Sequence, residues 1–199
     1  MQEDEVTQKT SVVTPQRFSQ GLEYRDYIKG IKVNKDLFEQ YYQTVQLSPM
    51  DVEFFRRGAR QEGGPAKVLV LGEDWCPDVY RGMPVIARVA EASGIEMKVF
   101  PRDQHLDIMS EFLNQGQFQS IPTFVFYTKD QKYLAHFIER PATATKDMAD
   151  MRAKLAEELK GKPEEEVRAE TRKRMTARYP VYQQWTIEAL KEMLKPFVK

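Results

Sequence analysis

The pattern of apolar positions divides the 199-residue chain into three stretches of different character. Residues 1–14 are polar and read as a frayed lead-in. Thr14-Pro15 is a helix cap with proline at the first helical position, and Phe18, Leu22 and Ile28 follow it. After Asn34, the residues Leu37, Phe38, Tyr41, Tyr42 and Val45 fall on one broad helical face. Ser48-Pro49 repeats the cap signature before Val52, Phe55 and Ala59, and Gly63-Gly64-Pro65 then breaks the chain. The first 64 residues therefore read as a helical extension whose aromatic side needs a surface to pack on.

In the middle stretch the periodicity changes. Val68-Leu69-Val70-Leu71 is a continuous apolar run, the mark of a strand buried on both faces of a sheet. A helical pattern over 79–92 carries Val85, Ile86, Val89 and Ala90 and stops at Gly94. Ile95, Met97 and Val99 alternate with Glu96 and Lys98, as in a half-buried strand. Leu106, Met109 and Leu113 predict a helix over about 103–113. Two more strands, 123–128 and 133–138, are joined by the turn Lys129-Asp130-Gln131. The order is β-α-β-α-β-β over roughly residues 66–138. The first two strands should be parallel through a right-handed crossover and the last two a hairpin.

Beyond Pro141 the chain is helical and highly charged. Met148, Met151, Leu155 and Leu159 keep helical spacing up to Gly161. Pro163 restarts a helix whose Glu164–Arg168 and Glu170–Arg174 pairs mark a solvated face. Tyr179-Pro180 is expected to interrupt it, leaving Tyr182, Trp185, Ala189, Met193 and Phe197 on a last amphipathic helix packed on the core. The implied organisation is a helical extension at 1–64, an α/β domain at 65–160 and a helical C-terminal extension at 161–199.

Composition narrows the function classes. Lys and Arg number 30 against 30 Asp and Glu, so nothing in the charge calls for nucleic acid or a membrane surface as a partner. The N-terminus Met1-Gln2-Glu3-Asp4-Glu5 is acidic and lacks the apolar segment of an export signal. A single cysteine excludes an internal disulfide, and the expectation is a soluble, cytoplasmic protein. Two scattered histidines and one cysteine make no metal-ligand cluster, and nothing points to a cofactor.

The chemistry concentrates in Glu73-Asp74-Trp75-Cys76-Pro77-Asp78-Val79, which joins the first strand to the next helix. A cysteine there lies at a helix N-terminus, where unpaired N–H groups and the dipole favour the thiolate. Trp75 could shield one side of the sulfur. That position favours a reactive sulfur over a small inert core residue. Glu73, Asp74 and Asp78 oppose ionisation and Arg81 favours it. His105 or His136 would assist Cys76 only if the fold brought one of them to it, and Asp103 reads as a helix cap. Ser120-Ile121-Pro122-Thr123 stands at a strand entrance, where an isolated proline is expected to be trans.

Together, Trp75-Cys76-Pro77-Asp78-Val79 and Ile121-Pro122-Thr123, in this order of elements, resemble the thioredoxin superfamily. The resemblance is strongest to a bacterial branch with a helical N-terminal extension, a W-C-x-D-C motif and an R-D closing the second core strand. Arg102-Asp103 and Arg140-Pro141 match that branch. The resemblance implies a thioredoxin-like α/β fold, a cis Ile121–Pro122 bond against Cys76, and a substrate groove shaped by Trp75, Pro77, Ile121 and Pro122. It departs at two places: Val79 occupies the position of the resolving cysteine, and Val70 that of a buried acid which accepts its proton. Dithiol chemistry is therefore not expected. What remains is a single-thiol exchanger acting on a disulfide-bearing protein or a small thiol, or a redox fold kept as a binding module. In the second reading the terminal helices dock a protein partner or a second copy. A peroxide-reactive Cys76 is a third reading and needs a nearby activating cation.

Overall fold

The computed structural model describes residues 11–199. A four-stranded mixed sheet is its centre. Strand β1 (Lys67–Gly72) pairs parallel with β2 (Glu96–Pro101) and antiparallel with β3 (Thr123–Tyr127), which forms the hairpin with β4 (Tyr133–Ile138). Val68, Leu69, Val70 and Leu71 are wholly buried, as their unbroken apolar run requires of a strand covered on both faces.

The helices on one face explain how much chain lies outside the sheet. Helix α5 (Pro77–Ser93) is buried all round, with Gly82 through Ala87 out of solvent without a break. A helix buried on every side needs a second layer over it. That layer is α3 (Lys35–Thr44), α4 (Pro49–Arg60) and α8 (Glu164–Leu194), all packed against α5. Phe38 of α3, Phe55 of α4, and Ile187, Leu190 and Leu194 of α8 all join the core cluster built on the sheet.

Elsewhere the elements differ from the sequence expectation. The first helical stretch is two short helices, α1 (Pro15–Ser19) and α2 (Tyr24–Gly30), separated by a bridge in which Leu22 pairs antiparallel with Val99. Gly21 makes that approach possible, because a Cβ there would strike the Phe100 ring. Thr14 does cap α1, its Oγ1 accepting from Arg17 N at 3.1 Å. Residues 11–14 are not frayed: Val13 is buried, and the Glu111 carboxylate accepts from Ser11 Oγ and Val12 N at 2.6 Å each. The expectation for residues 1–10 lies outside the described residues.

The helix expected over 103–113 shrinks to a 3-10 turn at Arg102–Gln104 and one turn of α6 (Leu106–Met109). His105 leaves helical geometry at φ −133°, and Asp103 is no cap, since it lies inside the 3-10 turn while Pro101 and His105 hold the cap positions; its N–H goes to Glu73 Oε1 at 2.7 Å. Helix α8, by contrast, runs through Pro180 without stopping. Proline forfeits one bond, to the carbonyl four residues back, and both Pro180 and Thr176 face solvent, where water can replace it. The buried ridge of α8 is also turned from the expected stripe: Ile187, Leu190 and Leu194 are sealed while Trp185, Met193 and Phe197 flank them.

Helix α7 (Ala142–Glu158) and the first half of α8 form a hairpin held by Met148, Met175 and Tyr179, with Asp147 accepting from Arg178 and from Tyr182 Oη at 2.8 Å. The second half of α8 is tied to α4 by a half-buried ion pair, Lys191 Nζ to Asp51 Oδ1 at 2.5 Å, while buried Asp51 also closes the α4 capping box with Ser48. Burial pushes the Asp51 carboxyl up, but the bonds from Lys191 and Ser48 outweigh it and hold the group below its ordinary range. A depressed folded value means stability present above the unfolded carboxyl value and lost as pH falls through the folded one. Asp51→Asn is accordingly expected to lower stability by about 1–2 kcal/mol at neutral pH. The gap to wild type should shrink below about pH 4, as read from urea unfolding curves across that range.

Candidate functional site

Strand β1 ends at Gly72 and the chain turns through Glu73, Asp74 and Trp75 into α5, whose N-cap is Cys76 and whose first residue is Pro77. Proline suits that position, since its missing N–H would have no helical partner. The turn is clamped from two sides. Asp74 Oδ2 accepts from the backbone of Lys32 and Val33 at 2.6 and 3.2 Å, and Asn34 Nδ2 donates to the Asp74 carbonyl at 2.9 Å. Glu73 accepts the Asp103 N–H from the far side. The N-terminal extension and the β2–α6 turn thus fix the cysteine loop in place.

Opposite the cysteine loop, the Ile121–Pro122 peptide bond is cis and immediately precedes β3. The Cys76 thiol points at the Ile121 carbonyl, Sγ to O 3.7 Å. Pro122 lies close over α5 because position 82 is glycine; a Cβ there would sit 3.2 Å from Pro122 Cγ. Trp75 is 52% exposed beside the sulfur, with the Arg102 guanidinium 5.6 Å from its ring centre. Half-buried Cys76 thus faces the Ile121–Pro122 segment, with its chain neighbours Trp75 and Pro77 exposed.

The sulfur's electrostatics follow from its surroundings. Burial pushes the Cys76 thiol up; the N–H groups of Val79 and Asp78 pull it down; the charges of Asp78 and Glu139 push it up again. The net direction is upward, so Cys76 is less ionised at neutral pH than an ordinary thiol. The cations do not rescue it. Arg81 donates from Nε to Tyr179 Oη at 2.7 Å and forms only a looser ion pair with Asp78 at 3.7 Å, while Arg140 bonds Asp78. His105 lies edge-on to Phe100 and bonds Arg17, while His136 Nδ1 shares a hydrogen bond with Tyr133 Oη and stands beside Phe112, so neither histidine reaches Cys76.

Val79, one turn along α5, is fully buried, and a Cβ on Gly72 would come within 2.8 Å of its Cγ1. It fills the space below Cys76 as a packed hydrocarbon. Glu139, Arg140 and Gly82 are site residues that the sequence pattern did not single out for this role. Glu139 holds a left-handed φ of 59° and donates its N–H to the Pro122 carbonyl at 2.7 Å, which turns Arg140 toward Asp78. Only the loop closure after β4 shows this. No group of acids, histidines and cysteine among the described residues could hold a metal ion. No helix among them is long and apolar enough to cross a membrane.

A mixed sheet with a cysteine capping the helix after its central strand, opposite a cis-proline, defines a thioredoxin-fold protein. The thioredoxin family model matches residues 21–155, and the chain belongs to that family. Two solved structures share the fold. One is a protein of unknown function from Pseudomonas aeruginosa, 15% identical with a TM-score of 0.63, covering 92% of this chain and 98% of its own. The other is an HIV epitope scaffold, 16% identical with a TM-score of 0.63, covering 94% of this chain and 99% of its own. No curated protein sequence gives a match.

Proposed function

We propose that the protein is a single-thiol member of its family, in which Cys76 attacks a disulfide and an outside thiol completes the exchange. In the first step the Cys76 thiolate forms a bond to one sulfur of the substrate and the other leaves as a thiolate that takes a proton from water. Val79 offers no second sulfur, so the mixed disulfide waits for an external thiol, which attacks the bridging bond and regenerates Cys76. A reducing, cytoplasmic compartment would supply that thiol. The observation that carries this reading is the half-open Cys76 sulfur set against the Ile121 carbonyl, with Trp75 exposed alongside. Trp75, Pro77, Ile121 and Pro122 would form the walls against which a substrate lies.

The raised thiol supports a second reading, in which the cleft binds a protein segment without chemistry and the terminal helices provide further docking surface. Alkylation separates the two. Exchange requires that iodoacetamide modify Cys76 at pH 8–9 and not Cys76→Ser, with a rate rising about tenfold per pH unit until the thiol ionises. Because its pKa is raised, the rate at pH 7 should fall below that of free cysteine and level off at a higher pH than free cysteine does. Glutathione disulfide should add one glutathione per chain. A sulfur that resists both reagents up to pH 9 would leave only the binding module.

A further inference from the structure

The two edges of the sheet are finished differently. On the β2 side Leu22 closes the edge, its N–H donating to the Val99 carbonyl at 2.9 Å and its carbonyl accepting from Val99 N at 2.8 Å. That strand also carries Glu96 and Lys98, and charged side chains discourage a further strand. The β4 edge has neither device among the described residues. Tyr133-Leu134-Ala135-His136-Phe137-Ile138 holds no Lys, Arg, Asp, Glu or Pro. Each of these residues keeps some exposure, and Tyr133 is 52% exposed. A bulge opposite Phe126 and Tyr127 disturbs the Tyr133 end and leaves Ala135 to Ile138 in regular register.

The register decides which backbone groups of β4 are left over. Glu139 N donates to the Pro122 carbonyl and Ile138 lies opposite Thr123, so the positions bonded to β3 alternate as Glu139, Phe137 and Ala135. His136 and Ile138 therefore turn their N–H and C=O groups away from β3. Among the described residues, no other segment's backbone bonds them. Outward donors and acceptors at strand spacing are matched by another extended strand. Burial holds the His136 imidazole toward its neutral form, so the edge presents no charge of its own.

We propose that the β4 edge is a self-association surface, on which two copies of the chain pair their β4 strands antiparallel and join their sheets into one. Identical edges meet like charge with like charge, so an edge used this way has to be uncharged, as β4 is. At its ends the same pairing sets opposite charges against each other. The Lys132 end of each strand approaches the Glu139 end of the other. His136 pairs with Ile138 of the second copy, and Ile138 with its His136, about a two-fold axis at Phe137. Each of these pairs exchanges two main-chain bonds. One short strand per copy makes a small interface, so the association should be weak, in the micromolar range.

Sedimentation velocity of the full chain tests the pairing. The mass should rise from one chain toward two between about 1 and about 300 µM. Residue-resolved amide exchange then reads the edge itself. The His136 and Ile138 amides should exchange at least about tenfold more slowly at the high concentration, while the Phe137 amide, bonded to β3, stays slow at both. His136→Pro removes an outward N–H and no bond to β3, and should sediment as a single chain throughout. His136→Glu sets two like charges on one face about 7–8 Å apart across the axis, and should weaken the pairing at least about tenfold, less so in high salt. A wild type that stays a single chain up to about 300 µM overturns the proposal and leaves the edge to a strand of another protein. Slow exchange at His136 and Ile138 already at about 1 µM means that the chain covers its own edge, and overturns it too. So does a dimer that leaves these two amides unprotected or persists unchanged in both variants, since its contact then lies elsewhere.

Discussion

Val79→Cys should release two equivalents of thionitrobenzoate from Ellman's reagent where the natural protein releases one. The wild-type sulfur can attack and then holds half of the reagent, because nothing within reach displaces it. A cysteine at 79 lies three residues along from the N-cap cysteine, a spacing whose Cα separation falls inside the range a disulfide spans. Its attack would be intramolecular, so the second release should outpace any bimolecular rescue by at least about tenfold. Valine to cysteine is close to a volume match against Gly72 and Met83, and the expected cost in stability is about 1 kcal/mol. Cys76→Ser/Val79→Cys should react slowly, since position 79 is sealed from solvent. The gain has a ceiling: Val70 is also fully buried and provides no proton acceptor for the new thiol. A single equivalent from Val79→Cys, with Cys76 alkylating normally, would mean that the two sulfurs do not meet and that Val79 is not in the resolving position.

Phe38→Ala should destabilise the whole protein by about 3–5 kcal/mol, far more than loss of a peripheral contact. Phe38 is fully buried and meets Tyr27 of α2 and Tyr80 of α5 edge-on, with ring centres 6.0 and 6.3 Å away. It joins the N-terminal helices to the helix that begins at Cys76. A single cooperative unfolding transition, displaced downward by roughly 10 °C, is the expected calorimetric result. If the N-terminal segment were a separate appendage, Phe38→Ala would instead leave the main transition in place and melt a small early phase. The same measurement bears on the site, because the Lys32–Asn34 segment, which holds Asp74 through two backbone N–H groups and the Asn34 amide, connects α2 to α3.

Much of this fold is written locally. The unbroken run Val68–Leu71, the alternation through Ile95–Val99 and the turn between Thr128 and Tyr133 specify strands by period alone. The caps at Thr14 and Ser48 specify helix starts by hydrogen-bond chemistry within four residues. Cys76 at a strand-to-helix junction and Pro122 at a strand entrance were readable for the same reason: each depends on its immediate neighbours in the chain. The helix expected over 103–113 failed because its competitors are distant, with Glu73 taking the Asp103 N–H and Ser11 and Val12 taking the Glu111 carboxylate. Pro180 misled in the opposite direction, since a proline on the solvent side of a long helix gives up one bond that water can make.

What the sequence determined by itself is therefore the set of elements with strong period or capping, their order, and a lone cysteine at the junction of the first strand and the helix after it. What only the tertiary structure decided is the state of that cysteine. Arg81 is three residues from Asp78 and was expected to favour the thiolate, yet Tyr179, from a helix a hundred residues away, draws it aside. Arg140 is paired with Asp78, and burial leaves the thiol above its ordinary range. The physical reason is one of range: caps and periodicity act over a turn of helix or a few residues of strand, whereas charge and desolvation depend on what the folded chain brings within a few ångströms from anywhere along its length.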